Sequence, residues 1–290
     1  MIDLHIHTKF SDGTDGIEAI ISKVIDKGLH TFAITDHDTI DGVCALLENK
    51  NYMAQLEELN IKFVTGIEFS SILDGNKIHL LGYNCNLGDA KFLNAIELGW
   101  LKRRGKYELR LNALKEQLGI EYSDNSIQEM NKLKYVGKPI MANFLVKDGF
   151  FKDRQDAIIN GIHKLKLPAQ EIRVDARIVL PAITSAEGIS VWAHPLGGLG
   201  EKRIDFDKVE EIINNLIPLG LKGLECYYNL YTEEECRKLE GLAIKYNLLI
   251  SAGSDYHGKN KTCDIGEVMD KKTYDATNKC TIVKFFDDKQ

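Results

Sequence analysis

Histidines and carboxylates recur in short groups along this chain: His5-Ile6-His7 with Asp12 close behind, Asp36-His37-Asp38, Glu68, His79, His194, and Asp255 two residues before His257. Imidazole nitrogen and carboxylate oxygen form the donor set used for zinc, manganese or iron, and a bridging carboxylate lets two cations approach without prohibitive repulsion. On a strand, residues two apart point the same way, so His5 and His7 can reach one cation from one side. Such a pair alone is weak evidence, and a single histidine ending a strand is more often packed or solvated than a ligand. Six of the eight histidines, however, His5, His7, His37, His79, His194 and His257, fall at or just beyond the carboxyl end of a strand candidate; His30 and His163 do not. In an α/β barrel that edge gathers catalytic groups, because the βα loops converge there. A multinuclear metal site is the chemistry these positions point to. Asp3, Asp36 and Asp38 are left to orient ligands by hydrogen bonding or to cap turns.

The elements that must position these groups are short apolar runs at 2–6, 31–35, 62–67, 77–83, 188–193, 223–227 and 248–252, alternating for most of the chain with helical patterns. That is how consecutive βα units of a parallel sheet or barrel read. Between the first two runs, residues 16–27 place Ile17, Ile20, Ile21, Val24 and Ile25 at helical spacing, and Gly28 sits where a helix should stop. From about Leu98 to Lys166 the texture changes to a charged, helical pattern without a good strand, so the expected organisation is a barrel domain over 1–98 and 167–290 with a helical insertion, a candidate lid, over 99–166. The last twenty residues read as a short terminal strand or tail.

Composition narrows the function classes. With 37 basic and 43 acidic residues in 290, the formal net charge is −6, so no global cationic field holds nucleic acid. An anionic substrate must be held locally, by metal or by a few basic side chains. Six scattered cysteines (Cys44, Cys85, Cys226, Cys236, Cys263, Cys280) form no Cys-x-x-Cys pair, and are expected to be reduced and mostly buried. With no leader-like amino terminus and no long apolar run, the expectation is a soluble cytoplasmic protein with no membrane partner.

In order and spacing, the segments DLHIHTKFSDGT (3–14), TDHDT (35–39), GIEFS (66–70), HLLGY (79–83), WAHP (192–195) and GSDYHG (253–258) resemble the motifs of the PHP (polymerase and histidinol phosphatase) family, essentially over the whole chain. The resemblance implies a distorted seven-stranded (β/α) barrel with a helical insertion, holding two or three divalent cations, manganese, iron or zinc. It assigns His5, His7 and Asp255 to the first, with Glu68 bridging; Asp12, His37 and His257 to the second; and His79 and His194, with Glu68, to the third.

The layout is most similar to members that hydrolyse nucleoside monophosphates or 3′,5′-bisphosphates, some of which also trim short RNA from the 5′ end. The expected substrate is therefore a small phosphorylated molecule of the nucleotide kind, with short RNA as a second possibility. In those relatives the insertion carries arginines that meet the phosphate and an Arg-Pro-His segment. Here the matching stretch is Lys138-Pro139-Ile140-Met141-Ala142, and Leu196 replaces the usual glycine after His-Pro. Lysine keeps the point charge but not the bidentate fork, and isoleucine keeps no polar role. Arg103, Arg104 and Lys138 are the substrate-binding candidates.

The expected mechanism has a metal-held water attacking phosphorus in line, with no side-chain nucleophile. No Gly-x-Ser-x-Gly elbow or glycine-rich phosphate loop argues otherwise. A histidinol-phosphate-type phosphatase is an alternative, opposed by the insertion. So is a non-catalytic metal-binding module, opposed by the presence of all nine ligand-type residues.

Overall fold

The computed structural model describes residues 1–133, 136–167 and 172–286. Its main sheet contains β1 (Ile2–Ile6), β2 (Thr31–Ile34), β3 (Lys62–Leu73), β4 (Asn76–Tyr83), β5 (Val174–Asp175), β6 (Ile189–Ala193), β7 (Gly223–Tyr228) and β8 (Leu249–Gly253). Seven of these run in the order β1-β2-β3-β4-β6-β7-β8, while the short β5 adds to β3. The sheet curls until β8 meets β1: Ile6 bridges Tyr256, and the His7 amide donates to the Tyr256 carbonyl at 2.8 Å. The result is the distorted seven-stranded barrel expected. Its strands are buried on both faces, which is why they read as nearly continuous apolar runs.

One expectation needs correction. β3 and β4 are not successive βα units; they form a hairpin through the two-residue turn Asp74-Gly75, both at positive φ (48° and 79°). Such a turn matches the twist of the flanking strands, and glycine accepts the left-handed backbone without cost. β4 therefore runs antiparallel to both its neighbours, β3 and β6.

Helices cover the outside: α1 (Ile17–Asp26), α2 (Asp41–Leu47) and α3 (Lys50–Glu58) on the first third, then α4 (Ala90–Leu118), α5 (Asp124–Asn131), α6 (Lys138–Lys147) and the short α7 (Arg154–Asp156) in the middle. α8 (Ala176–Ser185), α9 (Phe206–Leu216) and α10 (Glu233–Lys245) follow. In α1 the buried face is Ile20, Ile21 and Val24, as the spacing dictates. Near the carboxyl terminus β9 (Glu267–Met269) pairs with β10 (Lys272–Thr273), and a 3₁₀ helix, Thr281–Phe286, returns Ile282 and Phe286 to the barrel core. Residues 287–290 lie outside the described residues. All six cysteines are free, five of them buried. Among the described residues no helix is long and apolar enough to cross a membrane.

The middle helices have an apolar core of their own, built from Tyr107, Leu114, Met130, Met141, Leu145 and Ile162 among others. α4 joins this core to the barrel. Its 29 residues span about 43 Å at 1.5 Å per residue, with Phe92 and Ala95 in the barrel core at one end and Leu114 in the second core at the other. Phe92 is fully buried, edge-on to Phe69 of β3 with ring centroids 6.0 Å apart. Phe92→Ala is expected to cost about 3–5 kcal/mol of stability. A shift in the denaturant midpoint worth less than about 1 kcal/mol would show that the helix is anchored elsewhere.

Candidate metal centre

Each barrel strand delivers its chemistry to one rim. His5 lies on β1 and His7 just beyond it, both fully buried and on the same side of the strand. His37 follows β2 and is tied to β3, because the Asp38 amide donates to the Glu68 carbonyl (2.9 Å) and the Glu68 amide to the Asp36 carbonyl (3.2 Å). His194 directly follows β6, and Asp255 and His257 follow β8. His79 arrives differently from the expectation. It sits near the start of β4, not at a carboxyl end, and reaches the same rim only because β4 runs backwards, placing it opposite Ser70 and Ala193. Asp38 (φ 52°), His194 (φ 33°) and Asp255 (φ 55°) take left-handed backbone conformations that non-glycine residues seldom adopt. Strain of this kind persists where the surroundings impose it, and here it turns His194 and Asp255 into the cluster and sets Asp38 against Arg103.

The groups converge on Glu68, which continues inside β3 rather than following it. Its Oε2 lies 3.4 Å from His5 Nε2, 3.2 Å from His7 Nε2 and 2.8 Å from His37 Nδ1. Its Oε1 lies 3.0 Å from His79 Nδ1 and 3.2 Å from His194 Nε2. Asp255 Oδ1 is 3.6 Å from His5 Nε2 and 3.3 Å from His7 Nε2; Asp12 approaches His257 at 3.1 Å and His37 at 3.8 Å. All nine expected ligands are thus brought together, in overlapping sets such as His5, His7, Glu68 and Asp255, or His7, Asp12, His37 and His257. Within the cluster His5 Nε2, His7 Nε2, His37 Nδ1 and Glu68 Oε2 are buried without a hydrogen-bond partner. Buried polar atoms aimed at one another across 3 Å and left unsatisfied are what a cation-binding donor set looks like from the protein side.

Electrostatics agree with that reading. Burial pushes the Glu68 carboxyl up, but His37, His79 and His5 outweigh it and hold the group well below its ordinary value. Asp12 is held down against burial by His257 and His37, and Asp255 by Lys261 and His5. Burial opposes a charge on His7, yet Asp255 and Glu68 raise it to about 9; His37, for which burial wins, falls to about 4. The surroundings thus hold the carboxyl groups of Glu68, Asp12 and Asp255 below their ordinary range.

Behind the cluster sit further carboxylates. Asp36 accepts from the Thr8 amide (2.8 Å), Thr8 Oγ1 (2.7 Å) and Ser11 Oγ (2.5 Å), fixing the loop that carries His7 and Asp12. Asp3 accepts the amides of His5, Ser254 and Gly266, tying β1 to the Asp255 loop. Glu225 of β7 stands outside the expected set: Oε1 is 3.0 Å from His5 Nδ1 and Oε2 accepts the His194 amide at 2.7 Å. Its only mark in the sequence is a lone carboxylate inside an apolar strand.

The cluster forms one wall of a cavity of about 320 Å³, and cations from the middle helices and the segment before β5 form the other: Lys106, Arg110, Lys138 and Arg173. Lys138 was expected there; its Nζ is 3.3 Å from His163 Nε2, which lines the same cavity. Arg103 also lines it, gripping Asp38 and Ser70 Oγ. Arg104 does not: it is exposed, 3.7 Å from Glu108 and stacked over Trp100. Neighbours in a helix sequence lie about 100° apart, so Arg103 and Arg104 cannot share a face, whereas 103, 106 and 110 can. Burial, then Arg110, Arg173, Arg103 and Lys138, push the Lys106 ammonium well below its usual range, and burial followed by Arg110 and Arg173 brings Lys138 to about 8. The two departures from the family pattern face elsewhere: Leu196 is buried in the barrel core and Ile140 packs on the core of the middle helices.

A phosphoribosyl 1,2-cyclic phosphate 1,2-diphosphodiesterase from Eggerthella lenta is 29% identical over 263 residues, covering 89% of this chain and 94% of that protein. The 5′-3′ exoribonuclease Rnm of Escherichia coli is 24% identical over 270 residues (92% and 88%), and a 3′,5′-nucleoside bisphosphate phosphatase of Chromobacterium violaceum 24% over 279 residues (93% and 92%). A solved structure from Bifidobacterium adolescentis, provisionally named a metal-dependent phosphoesterase, has the same fold, with a TM-score of 0.76 at 23% identity over 98% of this chain and 96% of that one. The PHP domain profile matches residues 3–162, more than half of the 290, across the stretch that supplies His5, His7, Asp12, His37, Glu68 and His79, and the chain belongs to the PHP domain family.

Proposed function

We propose that this PHP domain protein is a metal-dependent phosphoesterase whose substrate is a small ribose or nucleotide phosphate bearing a second phosphate, with a nucleoside 3′,5′-bisphosphate as the leading candidate. The observation that carries this reading is one cavity with two charge regimes: the imidazole and carboxylate cluster around Glu68 on one side, and Lys106, Arg110, Lys138 and Arg173 on the other. Like charges brought together under partial burial repel, so the second wall is at its best with an anion against it.

In this reading His5, His7 and Asp255 would hold one divalent cation with Glu68, Asp12, His37 and His257 would hold a second, and His79 and His194, with Glu68, would hold a third. Manganese, iron and zinc all suit nitrogen and oxygen donors of this kind. Bound there, such cations supply hydroxide near neutral pH and neutralise phosphoryl charge. The chain's own part is to orient. Glu68 splits its oxygens between the imidazole groups, Asp36 and Asp3 fix the loops, and the cationic wall takes the remote phosphate, by planar forks from Arg110 and Arg173 and point charges from Lys106 and Lys138. Residues 99–166 act in this scheme as a lid that walls the cavity from water.

The names of the relatives support the substrate class, since each specifies an ester of ribose or of a ribonucleotide. Hydrolysis of a cyclic ribose phosphodiester is the second reading, favoured by the 29% identity to the Eggerthella protein against 24% for the bisphosphate phosphatase. Trimming of short 5′-phosphorylated RNA fits the same cavity, whereas histidinol phosphate would leave the cationic wall without an anion.

A panel of a 3′,5′-bisphosphate, a nucleoside monophosphate, a cyclic ribose phosphate, a short RNA and histidinol phosphate, assayed for phosphate release or ring opening, ranks these substrates; the reading expects the bisphosphate to have the highest kcat/KM. Chelation is expected to abolish turnover, and Glu68→Gln to lower both bound metal and kcat by more than the roughly hundredfold that losing an outer partner costs. Turnover that survives full removal of metal would sink the assignment. Lys138→Ala is expected to raise KM for the bisphosphate roughly tenfold to a hundredfold, the worth of one charged hydrogen bond, with a smaller effect from Arg104→Ala.

Lys138 also predicts a pH effect. Its lowered value of about 8 means the charge is present below that pH and lost above it. The bisphosphate kcat/KM, which reports the free enzyme, should fall as pH rises through about 8 and lose this limb in Lys138→Arg, since arginine stays charged. Identical profiles for the two proteins would remove Lys138 from the substrate site.

A further inference from the structure

Beyond the nine clustered residues, one carboxylate faces the site from a loop that no motif covers. We propose that Glu201 is a positioning residue that fixes the ring orientation and tautomer of His194, and steadies His79, so that both present their inner nitrogens to the cation they would share with Glu68. The proposal rests on the metal-dependent reading above.

The geometry is reciprocal. His79 Nδ1 and His194 Nε2 lie 3.2 Å apart and within 3.0 and 3.2 Å of Glu68 Oε1, so these are the nitrogens turned inward. Their opposite nitrogens both face Glu201: His194 Nδ1 is 3.3 Å from Oε2 and His79 Nε2 is 3.9 Å from Oε1. Both separations are ion-pair contacts, the first only just beyond the usual N–H···O range. An imidazole that gives one nitrogen to a cation carries its proton on the other, and that N–H needs an acceptor. His5 has Glu225 for this purpose at 3.0 Å, and His257 has the Asp255 carbonyl at 2.8 Å. For His194 the carboxylate that faces Nδ1 is Glu201.

The loop is shaped for the task. Leu196 is pinned in the core, its amide donating to the Tyr231 hydroxyl at 2.8 Å. Gly198 then lies flat on the His194 ring, where an added Cβ would stand only 3.1 Å from Nδ1. The Glu201 amide donates to the Gly198 carbonyl (3.1 Å), and the Gly198 amide donates to Glu201 Oε2 (2.9 Å), folding the carboxylate back over the imidazoles. A side chain 32% exposed, set in a turn of this kind and aimed at two buried rings, is held by design of the loop rather than by packing.

The test is a competitive Mn(II) and Zn(II) titration of the metal-free full chain, with metal content counted by mass spectrometry, on wild type, Glu201→Ala and Glu201→Gln. Glu201→Ala is expected to weaken one binding step by roughly 10- to 100-fold and leave the others unchanged. Glu201→Gln, which keeps an acceptor oxygen, is expected to recover part of that loss, and neither should change the melting temperature of the metal-free protein by more than a surface substitution does. An alanine isotherm that overlays wild type overturns the proposal. So does a uniform weakening of every step together with a lower melting temperature, which would mark a merely structural role. A wild-type chain that binds no divalent cation would sink the metal-dependent reading itself, and is thereby distinguished from failure at Glu201.

Discussion

The carboxylate of Glu68 sits on a strand that crosses the barrel, 1% exposed, with one oxygen shared by three imidazoles and the other by two. Removing an ionised carboxylate from water costs several kcal/mol even after relaxation, and the cost falls only if positive charge is brought to it. The surroundings meet that demand with five imidazoles from four strands, His5 and His7 from β1, His37 from β2, His79 from β4 and His194 from β6. Because one carboxylate has only two oxygens, the imidazoles divide into groups around it. That division, more than any single residue, spreads the donor atoms over several overlapping groups.

The barrel exists in this form to make that convergence possible. A regular alternation of strand and helix would have pointed His79 to the opposite rim; the Asp74-Gly75 hairpin reverses β4 and brings it back. Left-handed backbone at Asp38, His194 and Asp255 costs of order 1–3 kcal/mol each, and the ladders on either side hold the residues there. Asp3, Asp36 and Glu225 add fully buried carboxyl groups that accept backbone and imidazole hydrogens. These groups hold the loops and rings from behind, and the inner atoms are left facing one another.

Opposite this anionic centre, the middle helices contribute the reverse sign. Their separate core stiffens α4 so that Arg103, Lys106 and Arg110 stand on one face at fixed spacing, with Lys138 opening α6 beside them. Arg103 holds Asp38 and so links the helix to the rim, while Lys106 and Lys138 are pushed down by burial and by the charges of Arg110 and Arg173. A cavity whose two walls differ in this way suits a ligand that can meet both kinds of charge at once.

Much of this was legible in the sequence. The strands were, because full burial writes them as unbroken apolar runs, and so was α1, because its buried face repeats at helical spacing. All nine ligand-type residues were, because the chemistry demands His, Asp or Glu and the motifs contain each of them. What local pattern could not carry was direction. Whether β4 runs forward or back depends on hydrogen bonds to β3 and β6, so the route by which His79 reaches the rim was misread. Which arginine of a helix faces the site depends on where that helix is docked, so Arg104 was named in place of Lys106 and Arg110. Glu225 and Glu201 carry no motif, since a carboxylate acquires its role only when an imidazole from a distant strand is placed within about 3 Å of it. Residue type determined which atoms can bind and what charge they bear; only the folded chain decided which of them meet, because electrostatics and hydrogen bonding act over a few ångströms of space and not along the sequence.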